Sequence, residues 1–143
     1  IIIDEAQLIP RKETFEEVRL LTNFQLDDTN LLSLILVGQP GLRRRLSHRT
    51  YRALRQRIGL FYSLGPLGME EVKEYLAFRM KKGGREEPLF TDEAIELVFR
   101  YSGGIPRLIN SLATAALLEG FGREKEMIDA GLVEAAAKEV ILE

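Results

Sequence analysis

Two adjacent carboxylates, Asp4 and Glu5, follow three isoleucines at the start of this 143-residue chain. Three β-branched residues in a row suit a strand buried on both faces, and open α/β sheets take their ligands outside the carboxyl ends of their strands. An acidic pair in that place has the chemistry that nucleoside-triphosphate hydrolysis needs. The first carboxylate can hold Mg²⁺ directly or through water, and the second can polarise an attacking water. A solvated turn or a helix N-cap is the plainer alternative for the pair taken alone. A second strand pattern, Leu31–Gly38, stops in Gly38-Gln39-Pro40-Gly41. There Gln39 either faces a ligand or ties its own backbone. Further on, Arg43, Arg44, Arg45, Arg49, Arg52, Arg55 and Arg57 crowd residues 42–57 together with His48. A solvated basic face is the default explanation for such a run. Contact with phosphate is the other, although the aromatics that a single-strand binder interleaves are lacking apart from Tyr51. His48, with no second histidine and no cysteine nearby, reads as a surface residue.

These groups have to be positioned by the elements between them. Thr14-Phe-Glu-Glu17 is a capping-box pattern, and Phe15, Val18 and Leu21, widened by Leu20 and Phe24, recur at helical spacing. The spacing predicts a helix over 13–25 that covers one sheet face. Asp27–Asn30 is a turn cluster. Leu42, Leu46, Leu54 and Ile58 predict a pair of short helices through the arginines, and Leu60–Leu64 is a short strand candidate before Gly65-Pro66. Beyond this point the pattern is helical throughout. A helix over 69–82 ends in Lys81-Lys82-Gly83-Gly84, cationic in its last turn with glycine just past it. The next opens at Thr91 as N-cap, with Phe90 spaced to staple onto Ile95, and stops at Gly103-Gly104. A third begins at Pro106 and runs to about Gly120. Asp129 caps a fourth, with Leu132, Val133, Ala136 and Val140 on its inner side. The fold class is therefore α/β, with residues 1–65 holding a partial parallel sheet and residues 66–143 forming an all-α, four-helix appendage.

Composition narrows the function classes. The chain is 45% hydrophobic and 29% charged with a net charge of −2, which favours neither nucleic acid nor an acidic surface. Residues 1–65 carry ten Lys/Arg against seven Asp/Glu, and residues 66–143 carry ten against fifteen, which fits two segments with different tasks. With no cysteine, a disulfide framework and a thiolate zinc site are excluded. The longest apolar run, around Leu31–Val37, is too short to span a membrane. The chain opens inside a strand pattern without Met, cap or turn, so an upstream part is expected.

In this order, IIIDEAQ, LILVGQP (Leu34–Pro40), LRQRIG (Leu54–Gly59) and GGIPRLIN (Gly103–Asn110) resemble the Walker B strand, sensor 1, arginine-finger segment and sensor 2 of the AAA+ ATPases. More narrowly, DEAQ, VGQP, LRQRI and SGGIPRLIN are similar to the ATPase domain of the general secretion pathway protein A type, whose relatives include pilus-biogenesis and transposition-helper ATPases. The resemblance implies that residues 1–65 are the second half of an AAA+ core, with Walker B, sensor-1 and last strands, and that residues 66–143 are the helical lid. It implies that Asp4 assists Mg²⁺, that Glu5 orients the hydrolytic water, and that Gln39 touches the γ-phosphate or that water. Most of the superfamily has Asn, Thr or Ser in place of Gln39. Arg107, at the start of a lid helix, would face phosphate together with the helix N-terminus; its structural alternative is pairing with a neighbouring acid. Arg57 is the first choice, and Arg55 the second, for a finger reaching a neighbouring subunit's nucleotide, which would tie hydrolysis to a ring or oligomer.

The departure from the family pattern is the absence of G-x-x-x-x-G-K-[ST] from all 143 residues. The resemblance therefore implies ATP and Mg²⁺ in the intact protein, and no cofactor and no activity in this fragment alone. The expected setting is secretion or pilus-type envelope assembly in the cytoplasm, with tethering of the parent to the inner membrane left open. A DNA-associated transposition helper and a non-enzymatic adaptor without a phosphate loop are the alternatives. In the AAA+ sheet the phosphate-loop strand separates the sensor-1 and last strands. Without that neighbour, Leu60–Leu64 is expected to swap or pair with another copy, or to stray.

Overall fold

The computed structural model describes residues 1–23, 25–26 and 29–140. Phe24 of the expected helix stripe, and Asp27 and Asp28 of the expected turn, lie outside the described residues. The chain divides into two compact units, Ile1–Ser63 and Leu64–Glu143.

In the first unit, β1 (Ile2–Ile3) and β4 (Ile35–Leu36) pair in parallel, with Ile2 opposite Ile35 and Ile3 opposite Leu36. Side chains alternate across a strand, so each matched pair points to one face of the sheet. Ile3 and Leu36 pack against a core of Ala6, Phe15, Leu42, Leu46, Tyr51 and Leu54. Ile2 and Ile35, on the other face, are 70% and 52% exposed. The expectation of strands buried on both faces is thus corrected: the covering helices lie on one face only. The remainder of the second expected strand, Leu31–Leu34, forms no ladder. Ahead of it, β2 (Gln25–Leu26) and β3 (Thr29–Asn30) pair antiparallel, so Thr29 and Asn30 of the expected turn and Gln25 of the expected helix lie in strands instead.

Helix α1 spans Lys12–Leu21 and buries Phe15 and Val18. Its N-cap is Arg11, in extended conformation just after Pro10, and no side chain caps it. The helix therefore starts ahead of Thr14, which lies inside the first turn, and the expected capping box does not form. Helices α2 (Pro40–Ser47) and α3 (Arg52–Arg55), joined by a 3₁₀ turn at Arg49–Tyr51, are the predicted short pair. The Phe15 and Tyr51 rings meet edge-on, 5.3 Å between centroids, a contact worth about 1 kcal/mol beyond its area. His48 is exposed as expected, and its imidazole Nδ1 accepts from the Thr50 N–H at 3.4 Å. Leu60–Leu64 is the other correction. The segment joins no strand, and Leu60 and Tyr62 are each 79% exposed. Strand hydrogen bonds need a partner edge, and among the described residues none pairs with it.

The second unit is built of α4 (Met69–Lys82), α5 (Asp92–Ser102), α6 (Pro106–Gly122) and α7 (Ala130–Val140). Local chemistry sets each start. The Gly68 N–H donates to Glu71 Oε2 at 2.7 Å, Thr91 Oγ1 accepts from the Ala94 N–H at 3.2 Å, and Asp129 Oδ1 accepts from the Leu132 N–H at 3.0 Å. Phe90 and Ile95 are both buried, as the staple requires. Phe90 also forms a short parallel bridge to Ile128, with the Thr91 N–H donating to Ile128 O and the Ile128 N–H to Leu89 O. Val72, Leu76, Val98, Ile109, Ala116 and Val133 fill the common core. Lys73 reaches from α4 to Asp92 at 2.6 Å, and that hydrogen bond raises the lysine pKa above its ordinary value. No helix among the described residues is long and apolar enough to cross a membrane.

Two glycines close α5, and only one of them is crowded. Gly103 and Gly104 have φ of 56° and 75°, and a Cβ on Gly104 would lie 2.0 Å from the Leu67 carbonyl oxygen, whereas one on Gly103 meets open space. The Leu67 N–H donates to Gly104 O at 2.9 Å, locking the entry to α4 onto this turn. Gly104→Ala is expected to destabilise the protein by about 2–3 kcal/mol, and Gly103→Ala by about 1 kcal/mol. Thermal melting followed by circular dichroism checks the difference. Equal losses at the two positions would contradict the close approach.

Candidate functional site

The parallel pairing decides where the acidic pair emerges. Beyond β1, the Val37 N–H donates to Ile3 O and the Ala6 N–H donates to Val37 O, both at 2.9 Å. The carboxyl ends of the two strands therefore leave the sheet side by side. Asp4 and Glu5 continue one strand, Gly38 and Gln39 the other, and all four residues are exposed. Asp4 Oδ1 accepts from the Glu5 N–H at 2.7 Å. Glu5 itself adopts the left-handed region, φ 50° and ψ 34°, and its carbonyl accepts from the Leu8 N–H at 2.8 Å to close a 3₁₀ turn over Ala6–Leu8. A non-glycine residue held there carries backbone strain of about 1–3 kcal/mol, and such strain gathers at functional sites.

Gln7, absent from the residues singled out in the sequence, joins the two strand ends. Its Nε2 donates to Glu5 Oε2, and its Oε1 accepts from the Gln39 N–H at 3.1 Å. The Gln39 side chain has no partner among the described residues. Among the described residues, one oxygen on each of Asp4 and Glu5 has no hydrogen-bond donor. Two hard carboxylate oxygens suit Mg²⁺, which keeps several waters and takes other ligands from substrate phosphates. Among the described residues no group of three or more His, Cys, Asp or Glu forms a metal cage.

The arginines divide by what they touch. Arg45, expected to be a solvated or subunit-facing residue, is turned inward. Its Nη1 donates to Gln7 O at 3.1 Å and to Ile9 O, its Nη2 to Pro10 O at 3.4 Å, and its Nε to Tyr51 Oη at 3.1 Å. The guanidinium also lies 4.8 Å from the Phe15 ring centroid. Arg45 thus pins the segment that leaves the acidic pair. Its position, three residues after buried Leu42 and one before buried Leu46, is the signal that places it on the inner side of α2. Arg55 is half-buried and donates to Ser47 O at 2.6 Å, closing the end of α2. Arg57 is exposed, and its side chain makes no hydrogen bond or ion pair among the described residues.

Arg107 belongs to the second unit. It is the second residue of α6, exposed, and its guanidinium likewise has no partner among the described residues; its carbonyl accepts from Ser111 Oγ at 3.1 Å. The expected alternative, pairing with a neighbouring acid, does not occur there. Tyr75 Oη donates to Asn110 Oδ1 at 3.1 Å, fixing the same first turns of α6 to α4.

Residues 1–46 match the protein family described as AAA domain. Over 141 residues the chain is 42% identical to general secretion pathway protein A of Aeromonas hydrophila, covering 98% of this chain and 25% of that protein. The chain is of the AAA+ type. A potential ATP-binding protein of Staphylococcus aureus is 30% identical over 115 residues, covering 78% of this chain and 40% of its own length. Two structures of mutant RuvB from Thermotoga maritima share the fold, with TM-scores of 0.67 and 0.65 at 23% and 24% identity. Each similarity covers 96% of this AAA+ chain and 43% of the RuvB chain. The chain thus spans a quarter of the Aeromonas protein and less than half of the others.

Removing Arg45 strands three carbonyl oxygens and a phenol. Arg45→Met is expected to cost about 2–4 kcal/mol in urea unfolding, against less than about 0.5 kcal/mol for the exposed, adjacent Arg44→Met. Comparable losses for both variants would show that the inward contacts contribute little.

Proposed function

We propose that this chain carries the water-activating end and the helical lid of an ATP-hydrolysing AAA+ protein. What supports this most is one observation: parallel β1–β4 pairing sets Asp4-Glu5 beside Gln39, bridged by Gln7, at the ligand-facing end of the strands. In this reading Glu5 orients and deprotonates the attacking water, Asp4 holds the metal's water shell, and Gln39 meets the γ-phosphate or that water. Mg²⁺, when bound with nucleotide, supplies charge neutralisation between the phosphates. Arg107 supplies a free guanidinium at a helix N-terminus, where backbone N–H groups and dipole favour phosphate. Of the two finger candidates, Arg57 is preferred because Arg55 is occupied by Ser47 O. A finger serving a neighbour's nucleotide makes a ring or oligomer the working form.

The phosphate loop that must cradle the nucleotide is not in these 143 residues. ATP turnover is therefore assigned to the intact protein, and this polypeptide by itself is expected to be inactive. The 42% identity to general secretion pathway protein A supports work on secretion or pilus-type components, in the cytoplasm or tethered to the inner membrane. A DNA-associated role is less favoured. Two of the seven clustered arginines, Arg45 and Arg55, are engaged with backbone carbonyls rather than held out for phosphate.

In the intact protein, Glu5→Gln is expected to preserve ATP binding while lowering turnover by about 100-fold or more, the upper part of the range for losing a general base. Steady-state hydrolysis and equilibrium nucleotide binding measure the two separately. Turnover at the wild-type rate would remove Glu5 from the mechanism.

A further inference from the structure

We infer that Gln7 is a positioning residue that couples the Glu5 carboxylate to the Gln39 loop, so that the two are set as one unit. The inference rests on the proposed role of Glu5. A carboxylate can only accept hydrogen bonds and a backbone N–H can only donate one. The group between them must therefore present a donor to one side and an acceptor to the other, about two carbons from the main chain. Gln7 does this with Nε2 on Glu5 Oε2 and Oε1 on the Gln39 N–H. The requirement also fixes the orientation of the amide. Glutamate at this position would set two carboxylates against each other, and an aliphatic side chain would leave both partners unmet.

Two further contacts hold the bridge in place. Arg45 Nη1 donates to the Gln7 carbonyl at 3.1 Å, fixing the backbone from which the amide extends. On the other side, a Cβ added to Gly38 would come within 2.5 Å of Gln7 Oε1. Glycine at 38 is what lets the amide lie against the loop. With Oε2 of Glu5 occupied by Gln7, Oε1 is the oxygen left to face a water. Gln7 acts through Glu5 and Gln39 and makes no contact with the reacting atoms.

The bridge can be broken from either side. In the 143-residue chain, Gln7→Met is expected to speed hydrogen exchange at the Gln39 amide by roughly tenfold, the worth of one hydrogen bond. Exchange at the Ala6 and Val37 amides, which lie in the strand pairing, should not change. Gly38→Ala, which displaces the amide without altering Gln7, should give the same pattern. In the intact protein, both variants should lower kcat by about 10–100-fold, the usual effect of losing an outer-shell partner. KM for ATP should stay the same, and the double variant should be no worse than the more severe single one. Unchanged Gln39 exchange in both variants would overturn the coupling. So would a wild-type kcat in Gln7→Met under conditions where Glu5→Gln abolishes turnover. If Glu5→Gln itself turns over normally, it is the role of Glu5 that fails, and the inference fails with it.

Discussion

The pairing of β1 with β4 is the constraint on which the candidate site depends. Parallel pairing sends both strands out of the sheet at the same end, and the register of Ile3 on Leu36 sets how far each has travelled when it leaves. From that point the two loops are neighbours. An antiparallel arrangement would send Gly38-Gln39 to the opposite end from Asp4-Glu5. A slip of β1 by one residue would turn Ile3 away from the core and put Ile2 in its place, so the core enforces the register as well.

Past the strand ends, the interactions that shape the site are short-range and polar. Glu5 turns the chain through the left-handed region, which costs free energy at a residue with a Cβ, and the turn after it is held by Arg45. The guanidinium satisfies the backbone carbonyls at 7, 9 and 10 and stacks over Phe15, so one side chain links the exit of the acidic pair to the core. An arginine suits this better than a lysine because its planar fork reaches several carbonyls at once. The arginine run on α2 and α3 is thus not uniform. Arg45 and Arg55 hold the scaffold together, while the Arg57 side chain makes no such contact among the described residues.

The helical unit is legible in the sequence to within a residue or two, and the strand unit much less so. Thr91, Pro106, Gly103 and Asp129 set the boundaries of α5, α6 and α7 through local chemistry that works wherever the helices pack. In the first unit the decisive interactions are long-range. Leu31–Leu34 and Leu60–Leu64 have strand-like composition, but a ladder exists only where a partner edge does. Thr14 has a cap's sequence, yet extended Arg11 after Pro10 starts the helix earlier. At the site, Asp4, Glu5 and Gln39 are readable because strand ends carry them to one edge. Gln7 is not, because its role needs two partners, one of them 32 residues away. Arg45 is hidden by composition: it is one of seven clustered arginines, and only its place between Leu42 and Leu46 sets it apart.

The central claim is that the parallel β1–β4 pairing presents Asp4, Glu5 and Gln39 together to a nucleotide. A structure of the intact protein with Mg²⁺ and a non-hydrolysable ATP analogue tests this most directly. The expected result has Asp4 in the metal's water shell and Glu5 and Gln39 around the γ-phosphate. A nucleotide bound with Asp4 and Glu5 turned to bulk solvent would contradict it.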